Sequence, residues 1–134
     1  MRLKIDEHGI VVEPSLHDGY VDTITVNPDK SALLACRTST GQLLKLHLIG
    51  VRAFQGNDFR DGNIIAQLWI YQGARIPAEA IESLLFNEHS KKEDVQRLLR
   101  ALHGSTDYFF HLCPSYGLEV KAICNDVSWE WPCA

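Results

Sequence analysis

Short alternations of apolar and polar residues dominate the first half of the chain. Leu44, Leu46 and Leu48 alternate with Lys45 and His47, a two-residue period that places successive side chains on opposite faces of a strand. Similar segments recur nearby, separated by turn signals rich in glycine, proline, asparagine and aspartate. We predict strands at residues 2–12 (a small hairpin), 20–26, 33–38, 43–49, 51–54 and 63–71. Gly50 is expected to bend the chain between two of these strands.

The apolar spacing changes to a helical period after residue 76. Pro77 suits the first position of a helix, and Ile81, Leu84 and Leu85 follow at i, i+3 and i+4. This spacing predicts a helix at about residues 77–87.

A second helix is predicted at about residues 91–103. Ser90 and Glu93 have the S-x-x-E spacing of a capping box, and Gly104 suits the C-terminal end. An apolar stripe runs between them at i, i+3, i+4 and i+7: Val95, Leu98, Leu99 and Leu102. Further strands are predicted at 108–113, 118–124 and 127–131, the first two joined by a turn at 114–117.

This order of elements predicts an α+β fold. Strands joined by tight turns pair antiparallel, because parallel pairs need long crossovers. We expect an antiparallel sheet of about six to eight short strands, with one or two helices packed on one face. The 134 residues contain no repeat or linker, so residues 1–134 are expected to form a single domain.

Composition and charge narrow the function classes. Apolar residues make up 46% of the chain and charged residues 22%, as in ordinary globular proteins. The net charge is -4 and the basic residues are scattered, which disfavours nucleic-acid binding and suits a basic protein partner. No apolar run approaches the ~20 residues of a membrane span, and the start lacks the apolar core of a signal peptide. A cytoplasmic protein without membrane association is therefore expected.

The cysteine pattern does not predict a structural zinc site. Cys36, Cys113, Cys124 and Cys133 include no C-x-x-C pair, and thiols in the cytoplasm stay reduced. Buried free thiols are the favoured interpretation. In a secreted protein, Cys124 and Cys133 would be the expected disulfide.

The pair His17-Asp18, just before a predicted strand, is the first candidate for chemistry. A histidine beside a carboxylate can act as a base or a metal ligand. Adjacent residues of an extended chain point to opposite faces, however, and Asp18-Gly19 is typical of a turn. We therefore favour a structural role for His17-Asp18, shaping the entrance to the strand, over a binding role. The alternative is a small hydrolase or metal-dependent enzyme that combines this pair with a distant histidine, His47 or His111.

The remaining motifs predict neither a cofactor nor a metal. No nucleophile elbow, P-loop or dinucleotide fingerprint occurs, and the six histidines lack metal-ligand spacing. Two segments are candidate binding surfaces. Phe59 and Arg60 belong to a polar loop at 55–62, which we interpret as a hairpin loop. Trp129 and Trp131 share one face of the last strand, where they either contact a partner or close the edge of the core.

Three short motifs resemble a loose group of small bacterial proteins: Leu16-His17-Asp18-Gly19, Gly50-Val51-Arg52-Ala53-Phe54 and Asp61-Gly62-Asn63-Ile64-Ile65. The group contains uncharacterised domains and immunity proteins of toxin systems, and the similarity covers residues 16–71. The resemblance implies a bacterial non-enzyme and assigns no catalytic residue. We therefore expect a protein-binding domain, such as an immunity-type toxin inhibitor. A small-ligand binder with a cleft between sheet and helices is a further alternative.

Overall fold

The computed structural model describes residues 1–85 and 92–132. These residues form an α+β fold, as the sequence predicts, with helices α1 (Ala78–Leu85) and α2 (Lys92–His103). A 3₁₀ turn at Gly73–Arg75 precedes α1. The strands of the described residues are β1 (Lys4–Ile5), β2 (Val11–Glu13), β3 (Tyr20–Val26), β4 (Ala32–Arg37), β5 (Leu43–Ile49), β6 (Ala53–Asn57), β7 (Asn63–Gln72), β8 (Tyr108–Tyr116), β9 (Glu119–Cys124) and β10 (Asp126–Glu130).

All the strand pairs among the described residues are antiparallel. β1 and β2 form the predicted small hairpin, and the other strands form one sheet with the order β10-β5-β4-β3-β7-β8-β9-β6. β10 pairs with β5 at one end of this order, and β6 pairs with β9 at the other. Only Asn125 separates β9 from β10, and three residues separate β5 from β6. The two ends of the sheet are therefore joined by continuous chain.

The chain bends between β5 and β6 and again between β9 and β10, and hydrogen bonds between these two segments continue through the bends. The N–H of Asn125 donates to the carbonyl of Ile49 at 2.8 Å, and the N–H of Arg52 donates to that of Ile123 at 2.8 Å. β5–β6 and β9–β10 are thus two bent strands paired along their length, and the sheet curls until its ends meet. Gly50 lies at the bend with φ 64°, as its predicted role requires. A Cβ at this position would collide with the side chain of Asn125.

The main core fills the inside of the curled sheet. Leu44, Leu46 and Leu48 are buried there, while Lys45 and His47 point outwards, so the predicted alternation of β5 is confirmed. Buried residues from β3, β4, β7, β8, β9 and β10 complete the same cluster. Burial of the inner faces of these strands provides the main stabilisation of the fold.

The helices cover part of the outer surface of β8 and β9. Phe109 and Ile123 on these strands pack with Ile81 of α1 and Leu102 of α2, and all four are buried. The predicted stripe of α2 is confirmed, because Val95, Leu98 and Leu99 pack against this second core. Neither helix is long and apolar enough to cross a membrane. Residues 86 and 87 of the first predicted helix, residue 91 of the second and the Ser90 capping position lie outside the described residues.

Two local predictions are wrong. β6 extends through Asn57, and the following loop does not form a hairpin, because β6 pairs with β9 whereas β7 pairs with β3 and β8. β8 also continues through Pro114, which was expected to begin a turn. Pro114 lies opposite Ile65 at an irregularity in the ladder, a position where the missing proline N–H is tolerated.

Candidate functional site

The loop between β6 and β7, residues 58–62, is held in place by the buried side chain of Asn63. The Oδ1 atom accepts the N–H groups of Arg60 at 2.8 Å and of Leu118 at 3.0 Å. The Nδ2 atom donates to the carbonyls of Arg60 at 3.0 Å and of Val21 at 3.2 Å. One amide therefore ties the loop to β3 and to the start of the β9 segment, which gives the loop a defined conformation.

The loop places an aromatic ring and a guanidinium at the surface. Phe59 is 53% exposed, and the guanidinium of Arg60 lies over the ring of Tyr116, 5.4 Å from its centroid. Tyr116, at the end of β8, is 44% exposed. This cation–π contact fixes the long arginine side chain over the ring of Tyr116.

A groove of about 570 Å³ lies beside Phe59. Its apolar walls are formed by Ile24, Phe54 and Leu118, with Phe59 at one side. We call the groove together with Phe59, Arg60 and Tyr116 the Phe59 face. A smaller cavity of about 210 Å³ adjoins it.

Charges of both signs border the Phe59 face. In the smaller cavity Arg37 forms a two-pronged hydrogen bond with Asp22, at 2.8 and 3.0 Å, and stacks over the ring of Tyr20. Asp58 and Asp61 flank Phe59 and Arg60 and are exposed. Neither of these two aspartates forms an ion pair with another residue in the described ranges 1–85 and 92–132.

His17 and Asp18 lie in a turn at the entrance to β3. The N–H of Gly19 donates to the carbonyl of Leu16 at 2.8 Å, which closes the expected turn. Asp18 has φ 59°, so the chain is not extended here, and the alternation argument for the side chains does not apply. Nε2 of His17 lies 3.5 Å from Oδ2 of Asp18, and Nδ1 donates to the carbonyl of Ala66 at 2.8 Å. Both side chains are exposed, so the pair lies at the surface.

The histidines singled out in the sequence have separate partners. His17 bonds the carbonyl of Ala66 on β7, whereas Nε2 of His47 lies 3.1 Å from Oε1 of Glu130 on β10. His111 instead belongs to a group on β8 and β9. Within the described part of the chain, this group alone combines three potential metal ligands at close range: His111, Cys113 and Glu119.

The group on β8 and β9 lies on the outer surface of the curled sheet. Nε2 of His111 donates to Oε2 of Glu119 at 3.0 Å, and Sγ of Cys113 lies 3.4 Å from the same nitrogen. Nζ of Lys121 approaches the other carboxylate oxygen, Oε1, at 3.9 Å. Partial burial raises the pKa of the Cys113 thiol above 9.0, the charge of Glu119 raises it further, and Lys121 opposes the shift.

The sequence pointed to His111 but not to Cys113 or Glu119, because the spacings considered join one histidine to another or one cysteine to another. His111 and Cys113 are two positions apart on one strand, and such residues share a face. Glu119 lies on the returning strand of the same hairpin. A search for i, i+2 ligands on a predicted strand, followed by a third ligand on its hairpin partner, would have found the group.

The two tail tryptophans have different environments. Trp129 is 3% exposed and packs in the main core, and its indole N–H donates to the carbonyl of Arg2 at 3.2 Å. Trp131 is 42% exposed and contacts Trp129 edge to face, with 4.8 Å between ring centroids. Trp129 closes the edge of the core, and Trp131 is the member of the pair that reaches the surface.

Cys36 and Cys124 are buried thiols. Burial raises the pKa of each to about 12, with neighbouring aspartates adding to the shift. A thiol with this pKa stays protonated and unreactive at neutral pH. Cys133, the expected disulfide partner of Cys124 in a secreted protein, lies outside the described residues.

Another cavity lies between the β1–β2 hairpin and β7. Its volume is about 650 Å³, and Glu7, His8, Tyr71 and Arg75 are among its lining residues. Neither α1 nor α2 contributes to its walls, so it is not the cleft between sheet and helices that a small-ligand binder was expected to use.

Comparison with known proteins does not assign the chain to a family. The chain matches no protein-family model, no curated protein and no solved structure.

Proposed function

We propose that this chain is a non-enzymatic binding domain that recognises another protein through the Phe59 face. The observation that carries the proposal is the exposure of Phe59 and Arg60 on a loop that the buried Asn63 holds from beneath. The resemblance of residues 16–71 to a group of small bacterial proteins that includes immunity proteins favours an inhibitor as the kind of binder.

The composition of the Phe59 face supports a protein partner. Aromatic residues and arginine are enriched at the energetic centres of protein interfaces, whereas single exposed apolar residues are common on any surface. Here the guanidinium of Arg60 lies over the ring of Tyr116, and the neighbouring Phe59 borders a groove walled by Ile24 and Leu118. A preorganised loop binds at a lower cost in conformational entropy than a mobile one.

Charge specifies the chemistry of the partner. The exposed carboxylates of Asp58 and Asp61 suit lysine or arginine side chains, and the chain as a whole carries a net charge of -4. We therefore expect a basic partner protein that inserts an apolar side chain into the groove and surrounds it with cationic groups. Complementary charge of this kind accelerates association and selects the partner. A basic bacterial toxin has this chemistry.

Site-specific crosslinking in the host cells tests where the partner binds. A photoreactive phenylalanine analogue is placed at position 59, and in a matched control at position 43. Leu43 is 56% exposed on β5, so its exposure matches that of Phe59. We expect a crosslinked protein at position 59 that is absent at position 43. Equal crosslinking at the two positions, or none at position 59, would contradict the proposal.

Binding of the crosslinked protein, once purified, then measures the contribution of each side chain. Phe59→Ala is expected to weaken the complex by at least about tenfold, a loss of about 1.4 kcal/mol, because exposed aromatic residues often contribute strongly to protein interfaces. Arg60→Ala should weaken it as well, and Leu43→Ala should leave it unchanged. An unaltered affinity for both Phe59→Ala and Arg60→Ala would exclude the Phe59 face as the binding surface.

A further inference from the structure

We propose that His111, Cys113 and Glu119 bind a zinc ion on the outer surface of the β8–β9 hairpin. This site is separate from the Phe59 face, whose groove residues Phe54 and Leu118 pack with the main core on the inner side of the sheet. The proposal rests on the identity, spacing and charge of the three side chains.

The three ligand types suit zinc. Zinc is bound by thiolate, imidazole and carboxylate groups, whereas magnesium and calcium prefer oxygen ligands alone. Thiolate and imidazole together favour zinc or copper among the common metals. A thiolate from Cys113 and the carboxylate of Glu119 also offset the two positive charges of the ion.

The distances from Nε2 of His111 to the other two ligand atoms are close to those of a tetrahedral site. With zinc–ligand bonds of about 2.0–2.3 Å, tetrahedral geometry separates nitrogen from sulfur by about 3.6 Å and nitrogen from oxygen by about 3.4 Å. In the structure, Nε2 of His111 lies 3.4 Å from Sγ of Cys113 and 3.0 Å from Oε2 of Glu119. The ligand atoms of all three residues lie within 4.8 Å of one another. Small side-chain movements thus admit the ion between these atoms. On binding, the N–H of Nε2 that now donates to the carboxylate gives way to the metal bond, and the thiol of Cys113 releases its proton to solvent.

Neighbouring residues hold the ligands in position. His111 and Cys113 lie on one strand, and the partner strand carries Glu119, so the backbone ladder of β8 and β9 sets their separation. Lys121 lies opposite His111 and approaches Oε1 of Glu119, leaving Oε2 to face the imidazole. An outer charged partner of this kind orients a ligating carboxylate. Three protein ligands leave a fourth position open to water.

Metal titration of the purified chain tests the site. Zinc uptake is measured by calorimetry, and cobalt(II) serves as a spectroscopic substitute that reports thiolate ligation by a charge-transfer band. We expect one ion per chain and a thiolate–cobalt band for the wild type. Cys113→Ser should abolish the band and weaken zinc binding by at least about tenfold, since even outer-shell changes cost 10- to 100-fold. Glu119→Gln keeps the size of the side chain and should weaken binding similarly.

Two matched controls separate this site from general metal uptake. His47→Ala removes a cross-strand histidine–glutamate pair with a similar separation but no thiol, since Nε2 of His47 lies 3.1 Å from Oε1 of Glu130. Cys133→Ser removes the thiol nearest the C-terminus. Both variants should retain wild-type zinc affinity and the cobalt band.

Two results would overturn the proposal. One is a wild-type chain that takes up no zinc. The other is zinc affinity that is equal in the wild type, Cys113→Ser and Glu119→Gln, which would identify adventitious binding. Circular dichroism confirms that each variant is folded, and if Cys113→Ser does not fold, the comparison with Glu119→Gln decides.

Discussion

The buried Oδ1 of Asn63 accepts the backbone N–H of Leu118 at 3.0 Å, although the two residues lie 55 positions apart in the chain. The same atom accepts the N–H of Arg60, so the exposed loop and the start of the β9 segment depend on one side chain. Gly117 approaches this amide so closely that a Cβ would lie 2.5 Å from Oδ1. The Phe59 face is therefore organised by a residue that the solvent does not reach.

Asn63→Ala is expected to lower the free energy of unfolding by at least about 2 kcal/mol. The substitution leaves the buried N–H of Leu118 without its acceptor, and an unsatisfied buried group costs about 1–3 kcal/mol in addition to the lost hydrogen bonds. Denaturant unfolding measures the change. Asn57→Ala, at the exposed end of β6, is the control and should change stability by less than about 0.5 kcal/mol. Equal stability of the two variants would contradict this role of Asn63.

Arg52→Ala is expected to destabilise the fold by about 1–2 kcal/mol. Nη1 of Arg52 lies 3.1 Å from Oδ2 of Asp107, an ion pair whose angle falls outside hydrogen-bond geometry. The substitution removes the counter-charge of Asp107, whose side chain is only 7% exposed, and an unpaired buried carboxylate is costly. The side chain of Arg52 is itself exposed, so solvent screening limits the loss of stability. Thermal and denaturant unfolding measure the effect.

Two further variants identify the cause of that loss. Asp107→Asn in the Arg52→Ala background should recover part of the stability, because it removes the unpaired charge. Arg97→Ala breaks an exposed ion pair with Asp94 and should cost less than about 0.5 kcal/mol. A cost as small for Arg52→Ala would show that Asp107 does not need its partner.

Stability is expected to fall as the pH rises above 9. Burial raises the pKa of Cys36 from 9.0 to about 12, and Asp22 adds to the shift. Above pH 9 the unfolded chain releases this proton and the folded chain keeps it, so the contribution is intact below pH 9 and is lost between pH 9 and 12. In this range the ionisation of Cys36 in the unfolded chain can lower the free energy of unfolding by up to ~1.4 kcal/mol per pH unit.

Cys36→Ala isolates this contribution. Its stability at neutral pH will be lower because of the cavity, but its decline between pH 9 and 10.5 should be shallower than that of the wild type. Urea unfolding at a series of pH values measures the two slopes. Parallel slopes would show that the thiol ionises at a similar pH in the folded and unfolded chains.

The turn between β3 and β4 makes an acid-side prediction. The hydroxyl of Ser31 donates to Oδ1 of Asp29 at 2.6 Å and the backbone N–H of Ser31 donates at 3.0 Å, and together they lower the pKa of Asp29 below 3.8. Because this pKa is lower in the folded chain, its contribution to stability is present above pH 3.8 and is lost as the pH falls through the folded value.

Ser31→Ala removes the larger cause of the shift and should raise the pKa of Asp29 towards 3.8. Ser31→Thr retains both the hydroxyl and the backbone donor and should keep the pKa lowered. NMR titration of the Asp29 carboxyl measures both variants. An unchanged value in Ser31→Ala would assign the shift to the backbone donor alone.

Local periodicity by itself determined which side of β5 and which side of α2 is buried. The alternation around Leu46 and the helical stripe around Leu98 record, residue by residue, which positions face a core. The bend at Gly50 was also predictable, because a glycine between two extended segments allows φ values that other residues avoid. These features depend on neighbours close in sequence.

Only the tertiary structure decided which faces meet. Periodicity places His111 and Cys113 on one face, but the pairing register of β8 and β9 brings Glu119 to them. In the same way, the two-residue period places Trp129 and Trp131 on one face, but β10 ends at Glu130, so Trp129 is buried in the main core and Trp131 lies at the surface beyond the strand. Contacts between distant segments depend on strand order and closure, and the period of one strand carries no information about its partner.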